Sequence, residues 1–115
     1  MIARLFHNPR CSKSRQALAL LQESNVDFEI LEYLKSPLDE TDLLALFKKL
    51  DKTPLEIVRK GEAVFKELSL STAELSQKEW AQLLVKNPIL LERPIFDNGS
   101  KAVIGRPPED ILALI

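Results

Sequence analysis

The sequence predicts an α/β fold in which helices flank a four-stranded mixed sheet. Short apolar runs bounded by turn residues alternate with stretches of helical periodicity along the 115 residues. The first two predicted strands are joined by one helix, so we expect them to pair in parallel. An Asn98-Gly99 turn near the C-terminus predicts a hairpin, whose two strands are antiparallel.

The chain begins with a predicted strand, helix and strand. Residues 2–6 form a short apolar run that the segment 7–10, with its proline, interrupts. Residues 12–24 have the spacing of an amphipathic helix. Residues 26–33 predict the second strand, because apolar side chains fall on both of its faces. The apolar side of the helix carries Ala17, Leu18, Leu20 and Leu21.

The middle of the chain is predicted to be helical. It begins at Ser36-Pro37, and a short helix that starts at Pro54 is expected to end at residues 59–61. Ser76 and Glu79 have the spacing of a capping box, which predicts the start of a later helix. The other helical segments are around 43–50, over 63–68, and from the capping box to Lys86, before Asn87-Pro88.

The last quarter of the chain predicts a hairpin and a final helix. Residues 95–96 and 102–104 flank the Asn-Gly turn, and two prolines followed by two acidic residues begin a helix that ends near Leu114. The order of elements is that of a thioredoxin-like fold with a helical insertion. We expect residues 1–115 to form a single domain, because no linker, repeat or low-complexity stretch divides them.

Composition argues against two classes of partner. The formal net charge is −1, so no broad basic face is expected to bind nucleic acid. No apolar run reaches membrane-spanning length, and no leader pattern is visible, so we expect no membrane association and a cytoplasmic location. A nucleotide-binding glycine loop is also missing from the sequence.

Cys11 is the sole cysteine, so the chain cannot form an internal disulfide. It stands between the first strand and the first helix, beside Pro9, Arg10 and Lys13. A thiolate at a helix N-terminus faces free backbone N–H groups and the positive end of the helix dipole. Nearby cations stabilise it further, so we expect a reactive thiol. The alternative is a structural cysteine buried in the core.

Three neighbours of Cys11 are candidate supporting residues. Ser14 occupies the place of the second cysteine of a C-x-x-C motif; it can hydrogen-bond the thiolate but cannot resolve a mixed disulfide, so turnover would need an outside thiol such as glutathione. Alternatively, the Ser14 hydroxyl only hydrogen-bonds backbone groups in the first turn of the helix. Arg15 lies one helical turn after Cys11. His7 can shift the pKa of the thiol or orient it. Alternatively, it is a polar residue at a strand end whose hydrogen bonds are made by its surroundings.

Three further arginines stand where the chain turns, and they are candidates for binding an oxyanion. Arg59 is expected at the end of a short helix, Arg93 stands before Pro94, and Arg106 stands before Pro107. Guanidinium groups bind tetrahedral oxyanions bidentately, so their convergence would create an anion pocket. Each can also be an ordinary loop or helix-end residue. With one histidine and one cysteine, a metal site is not expected.

The segment 7–15, His-Asn-Pro-Arg-Cys-Ser-Lys-Ser-Arg, resembles the H-N-P-x-C-x-x-S-R element of glutaredoxin-coupled arsenate reductases. The segments 55–60, 87–95 and 105–109 are also similar to that family, in the same order along the chain. The resemblance implies a thioredoxin-like fold in which Cys11 attacks arsenate. It implies that Arg59, Arg93 and Arg106 hold the oxyanion and the thiol adduct.

The resemblance also implies the rest of the reaction. Glutathione is the co-substrate and glutaredoxin the partner, with no bound cofactor. A cis peptide at Arg93-Pro94 is expected, since a cis proline faces the nucleophile in thioredoxin-like folds. Ser12 and Lys13 depart from the small neutral residues, including glycine, of the best-known arsenate reductases.

Two alternatives stay open within this resemblance. Spx-type regulators are similar in fold and family, and they bind RNA polymerase; many carry C-x-x-C, which Ser14 interrupts here. The third interpretation is a general glutathione-linked thiol reductase with weak arsenate activity, because a pocket that accepts arsenate can accept other oxyanions.

Overall fold

A computed structural model describes residues 2–36 and 38–115, and the predicted opening of the helical section at Pro37 lies outside this part. The chain divides into two compact units. The sheet unit comprises the residues up to Ser36 together with Arg93–Ile115. The helical unit comprises the residues between them, up to Glu92. A single domain over 1–115 stays a prediction.

The sheet unit contains a four-stranded mixed sheet, which confirms the predicted architecture. Its strand order is β2-β1-β3-β4. The two strands linked by a helix, β1 and β2, pair in parallel, and both other pairings are antiparallel. The strands are β1 Arg4–Phe6, β2 Glu29–Leu31, β3 Ile95–Asp97 and β4 Ala102–Ile104.

The core of the sheet unit lies between the sheet and two helices. Leu5 on β1 faces Ala17 and Leu21 of helix α1 (Ser12–Glu23), while Ile111 comes from the C-terminal helix. All four side chains are fully buried, so their removal from water stabilises this unit. The predicted start of α1 beside Cys11 is confirmed.

Three local details differ from expectation. Strand β2 has three paired residues where 26–33 were predicted, because it is an edge strand with one partner. In the hairpin the positive φ falls on Gly99 (101°), and the Asn98 side chain accepts the N–H groups of Ser100 and Lys101. The C-terminal helix Pro108–Leu114 is a 3₁₀ helix.

The helical unit is built on the packing of two amphipathic helices, α2 and α4. The predicted capping box is confirmed, since the Ser76 hydroxyl accepts the Glu79 N–H and the Glu79 carboxylate accepts the Ser76 N–H. The helices are α2 Glu40–Leu50, α3 Ala63–Glu67 and α4 Gln77–Lys86, with 3₁₀ helices Pro54–Ile57, Leu70–Thr72 and Pro88–Leu90. None of the helices in the described part of the chain combines the length and the apolar composition of a membrane span.

The short helix after Pro54 is shorter than predicted. It ends at Ile57, and Val58 is extended and bridges to Leu91. The Arg59 N–H then donates to the Leu90 carbonyl at 2.7 Å. The prediction that Arg59 closes this helix is therefore wrong; a long-range backbone pairing, which has no local sequence signal, ends the helix two residues earlier.

Candidate active site

The loop after β1 is shaped by the buried residue Asn8. Its carbonyl accepts the Cys11 N–H at 3.0 Å, and its side-chain Oδ1 accepts the Arg10 N–H at 3.0 Å. Its own N–H donates to the Ser14 hydroxyl at 3.4 Å. These bonds fold the loop back on itself and place Cys11 at the N-cap of α1, with extended backbone angles of φ −94° and ψ 123°.

The Cys11 thiol is partly buried, and its environment favours the thiolate. Burial raises the pKa of Cys11 and is the largest single influence. The N–H groups of Ser14 and Lys13, the Arg93 guanidinium and the Ser14 hydroxyl act in the opposite direction and together prevail, so the pKa lies below its ordinary value. The sulfur makes no capping bond of standard geometry, yet the first-turn N–H groups lie close enough to stabilise its charge.

Two of the three predicted arginines converge on this sulfur. The Arg93 side chain is nine-tenths buried and hydrogen-bonds the thiolate. The Arg106 Nη2 lies 3.7 Å from Sγ, and its Nε donates to the Arg93 carbonyl at 2.9 Å. Arg93 has the larger effect on the pKa, whereas Arg106 ties the two arginines together. The sheet unit thus places the Cys11 sulfur beside two guanidinium groups.

Both of these arginines precede a cis proline. The cis peptide at Arg93-Pro94 confirms the prediction, and Arg106-Pro107 is a second cis peptide that the sequence interpretation missed. Gly105 joins the two turns, since its N–H donates to the Pro94 carbonyl at 2.8 Å. A Cβ on Gly105 would lie 2.8 Å from the Pro94 ring, so a side chain is excluded here by space.

Arg59, the third predicted arginine, belongs to the helical unit and is held there by two carboxylates. Its Nε donates to Glu62 at 3.1 Å and its Nη1 to Glu92 at 3.0 Å. Burial lowers the pKa of Arg59, and the two carboxylates more than offset that effect. Sequence reasoning missed both glutamates. Glu62 had the signal of i, i+3 spacing, while Glu92 is 33 residues away.

The remaining supporting residues lie around the Cys11 loop. The Arg15 Nη1 donates to the Pro9 carbonyl at 2.9 Å. His7 is buried, and its backbone N–H donates to Leu31. Burial is the largest influence on the pKa of His7 and lowers it; Glu32 raises it and Arg15 lowers it, leaving it below its ordinary value. A role for His7 beside the thiol stays a prediction.

The arrangement suits nucleophilic attack on an electrophile that carries anionic oxygens. An ionised sulfur can form the new bond, while guanidinium groups hydrogen-bond the charged oxygens. Across residues 2–36 and 38–115, no group of three or more His, Cys, Asp or Glu side chains is placed to hold a metal ion. Asn8 and Gly105 are the site residues that sequence reasoning missed; an asparagine before Pro9 in a turn was the available signal for Asn8.

Comparison with known proteins identifies the family. The sequence profile of the ArsC family matches residues 6–114. This chain belongs to the ArsC family. An arsenate reductase from Neisseria meningitidis serogroup A is 40% identical over 113 residues, covering 97% of each chain. The arsenate reductase structure from Vibrio cholerae has a TM-score of 0.93 at 34% identity, covering 100% of this chain and 98% of that one.

The ArsC family resemblance extends to a regulator. The global transcriptional regulator Spx of Streptococcus pyogenes serotype M1 is 32% identical to this chain over 111 residues, covering 96% of this chain and 83% of Spx. The structural neighbours confirm the thioredoxin-like fold. Membership of the ArsC family is therefore shown. The geometry of the site is the evidence for choosing between the activities of the family's members.

Proposed function

We propose that this protein is an oxidoreductase that reduces arsenate to arsenite, with Cys11 as the nucleophile. The observation that carries the proposal is the thiolate at the start of α1, hydrogen-bonded by Arg93 and 3.7 Å from the Arg106 Nη2. An arsenate ion is a tetrahedral oxyanion, which guanidinium pairs recognise. Relatives that are named arsenate reductases support the same assignment.

In the first step, Sγ of Cys11 forms a bond to arsenic. One arsenate oxygen takes up protons and leaves as water, and arsenic keeps its oxidation state. Charge accumulates on the arsenate oxygens as the bond forms, and Arg93 and Arg106 stabilise it. Arg59 is proposed as a third oxyanion ligand on the family resemblance, and its two carboxylate partners fix the plane of its guanidinium.

The reducing equivalents come from an outside thiol, because Ser14 stands where a resolving cysteine would be. Glutathione thiolate attacks Sγ, an S–S bond forms, and the electron pair of the S–As bond passes to arsenic, which leaves as arsenite. A glutaredoxin thiol then attacks the glutathione sulfur of the mixed disulfide and releases the Cys11 thiolate. We propose a cytoplasmic location, where both thiols are kept reduced.

The test is a coupled assay with purified protein, arsenate, glutathione and glutaredoxin. We expect arsenite formation that depends on all three additions and disappears in Cys11→Ser. Arg106→Leu should retain alkylation of Cys11 by iodoacetamide while losing about 10²-fold in kcat/KM for arsenate, since a charge-stabilising donor is removed. Arsenite formation by Cys11→Ser at the wild-type rate would refute the proposal.

A regulatory binding function is the second candidate, on the strength of the Spx relative. A Spx-like switch that uses C-x-x-C is not available to a chain with one cysteine. A pull-down with purified RNA polymerase tests this candidate. Tight binding by the wild type and by Cys11→Ser, with no arsenate turnover, would favour regulation over catalysis.

A further inference from the structure

Three cationic residues flank Cys11 along the chain at the start of α1, in addition to the two arginines that contact its sulfur. Arg10 directly precedes Cys11, and Lys13 and Arg15 lie in the first turn of the helix. Arg10 and Arg15 are exposed and Lys13 is half-buried. We call Arg10, Lys13 and Arg15 the cationic rim. They share the loop end and helix start that carry Cys11: the Lys13 backbone N–H acts on Sγ, and the Arg15 Nη1 donates to the carbonyl of Pro9, two residues before Cys11.

The rim charges have no carboxylate partner in the described part of the chain. Within residues 2–36 and 38–115, none of the three rim side chains takes part in an ion pair, whereas Arg4 and Arg59 each have carboxylate partners. Arg15 is fixed by a carbonyl, which leaves its charge uncompensated. The rim therefore concentrates uncompensated positive charge on the loop and helix start that carry Cys11, in a chain whose net charge is −1.

We propose that the cationic rim binds the carboxylates of the thiol that resolves Cys11, and so selects anionic thiols over neutral or cationic ones. The inference rests on the proposed function, which requires glutathione to reach the Cys11 sulfur. Glutathione carries two carboxylates and one ammonium group, so its net charge is negative at neutral pH.

The rim can be tested without arsenate, because a disulfide delivers the same thiol to the same sulfur. The Cys11 thiolate attacks glutathione disulfide, forms the Cys11–glutathione disulfide and releases one glutathione thiolate. Cystamine provides the cationic comparison and hydroxyethyl disulfide the neutral one. Cys11 is the sole cysteine, so the mass shift of the intact protein reports each reaction directly.

The variant pair is Lys13→Ala and the double charge reversal Arg10→Glu/Lys13→Glu. Both keep the Lys13 backbone N–H that stabilises the sulfur. We expect the rate with glutathione disulfide to fall about two- to fivefold in Lys13→Ala and tenfold or more in the double variant. The rate with hydroxyethyl disulfide reports any change in the thiolate itself, so the other two rates are divided by it. After that division the rate with cystamine should rise, and added salt should reduce the wild-type preference.

Lys101→Glu is the matched control. Lys101 is exposed in the hairpin turn, at the end of the sheet beside Arg4, whereas Cys11 follows the opposite end of β1. A uniform change with all three disulfides would overturn the proposal, because the rim would then act through the thiol itself. An unchanged rate with glutathione disulfide would also overturn it. Failure of arsenate turnover with the charge preference intact would reject the proposed function instead.

Discussion

Gly105→Ala should damage both stability and activity, because the new methyl group has no space. Its Cβ would lie 2.8 Å from Pro94 Cγ and 3.1 Å from Ile111 Cγ2. Ordinary carbon contacts are about 3.5–4.0 Å, so the proline ring must retreat by roughly 0.7–1 Å. A rigid ring against a fully buried isoleucine cannot yield cheaply, and overpacking of this kind costs about 1–3 kcal/mol.

Urea unfolding and the coupled arsenate assay would measure the two effects. Each kcal/mol lost should lower Tm by roughly 4–6 °C in a chain of this length. Activity should fall further than the unfolded fraction explains, because Arg106 follows the displaced glycine. Gly61→Ala is the matched control, since nothing lies within 4 Å of its Cβ. Wild-type stability and activity of Gly105→Ala, or an equal loss in Gly61→Ala, would refute the packing argument.

Three further predictions follow from the same unit. The pH profile of iodoacetamide alkylation should shift upward more in Arg93→Met than in Ser14→Ala, because the guanidinium lowers the pKa of Cys11 more than the hydroxyl does; the reverse order would contradict this. Because the folded-state pKa of Cys11 is lowered, ionisation of this thiol stabilises the folded protein. In urea unfolding, the advantage of wild type over Cys11→Ser should be absent at pH values below the folded-state pKa. It should appear as pH rises through that pKa and grow until pH reaches the unfolded-state pKa of about 8.5–9. Asp97→Ala should lower the free energy of unfolding by about 2–3 kcal/mol, since Asp97 is buried and accepts the Gly99 N–H at 2.8 Å. Asp97→Asn retains a side-chain oxygen that can accept this N–H, so it should lose roughly half as much. Equal losses in the two variants would exclude a role for the retained oxygen.

The sequence predicted elements whose signals are local. The capping box at Ser76 and the hairpin around Asn98-Gly99 are encoded within a few residues, and both formed where expected. The extent of β2 was not predictable, because apolar residues such as Phe28 pack against the core without pairing. The end of the helix after Pro54 was set by the pairing of Val58 with a distant segment.

The site was predictable in its parts and not in its assembly. The helix start predicted a lowered pKa for Cys11, since the dipole and the free N–H groups are local properties. Arg106 and Cys11 are 95 residues apart in the sequence, and local residue spacing cannot predict a contact over that separation. Glu92, the more distant of the two carboxylates on Arg59, was missed for the same reason, whereas Glu62 had a local signal in its i, i+3 spacing. The similarity to a known family supplied what spacing could not, including the cis peptide at Arg93-Pro94.

Stabilising the thiolate and binding the oxyanion are separable tasks in this site. Backbone N–H groups of Lys13 and Ser14 lower the pKa of Cys11 whatever side chains they carry, so the nucleophile persists when an arginine is removed. Arg106 contacts the Cys11 sulfur and the Arg93 carbonyl, and it affects the position of these groups more than the pKa of Cys11. It would then be needed mainly to stabilise the charge that develops on arsenate. Loss of Arg106 should therefore reduce kcat/KM for arsenate while thiol alkylation continues, and this separation is what distinguishes an oxyanion-reducing site from a merely reactive cysteine.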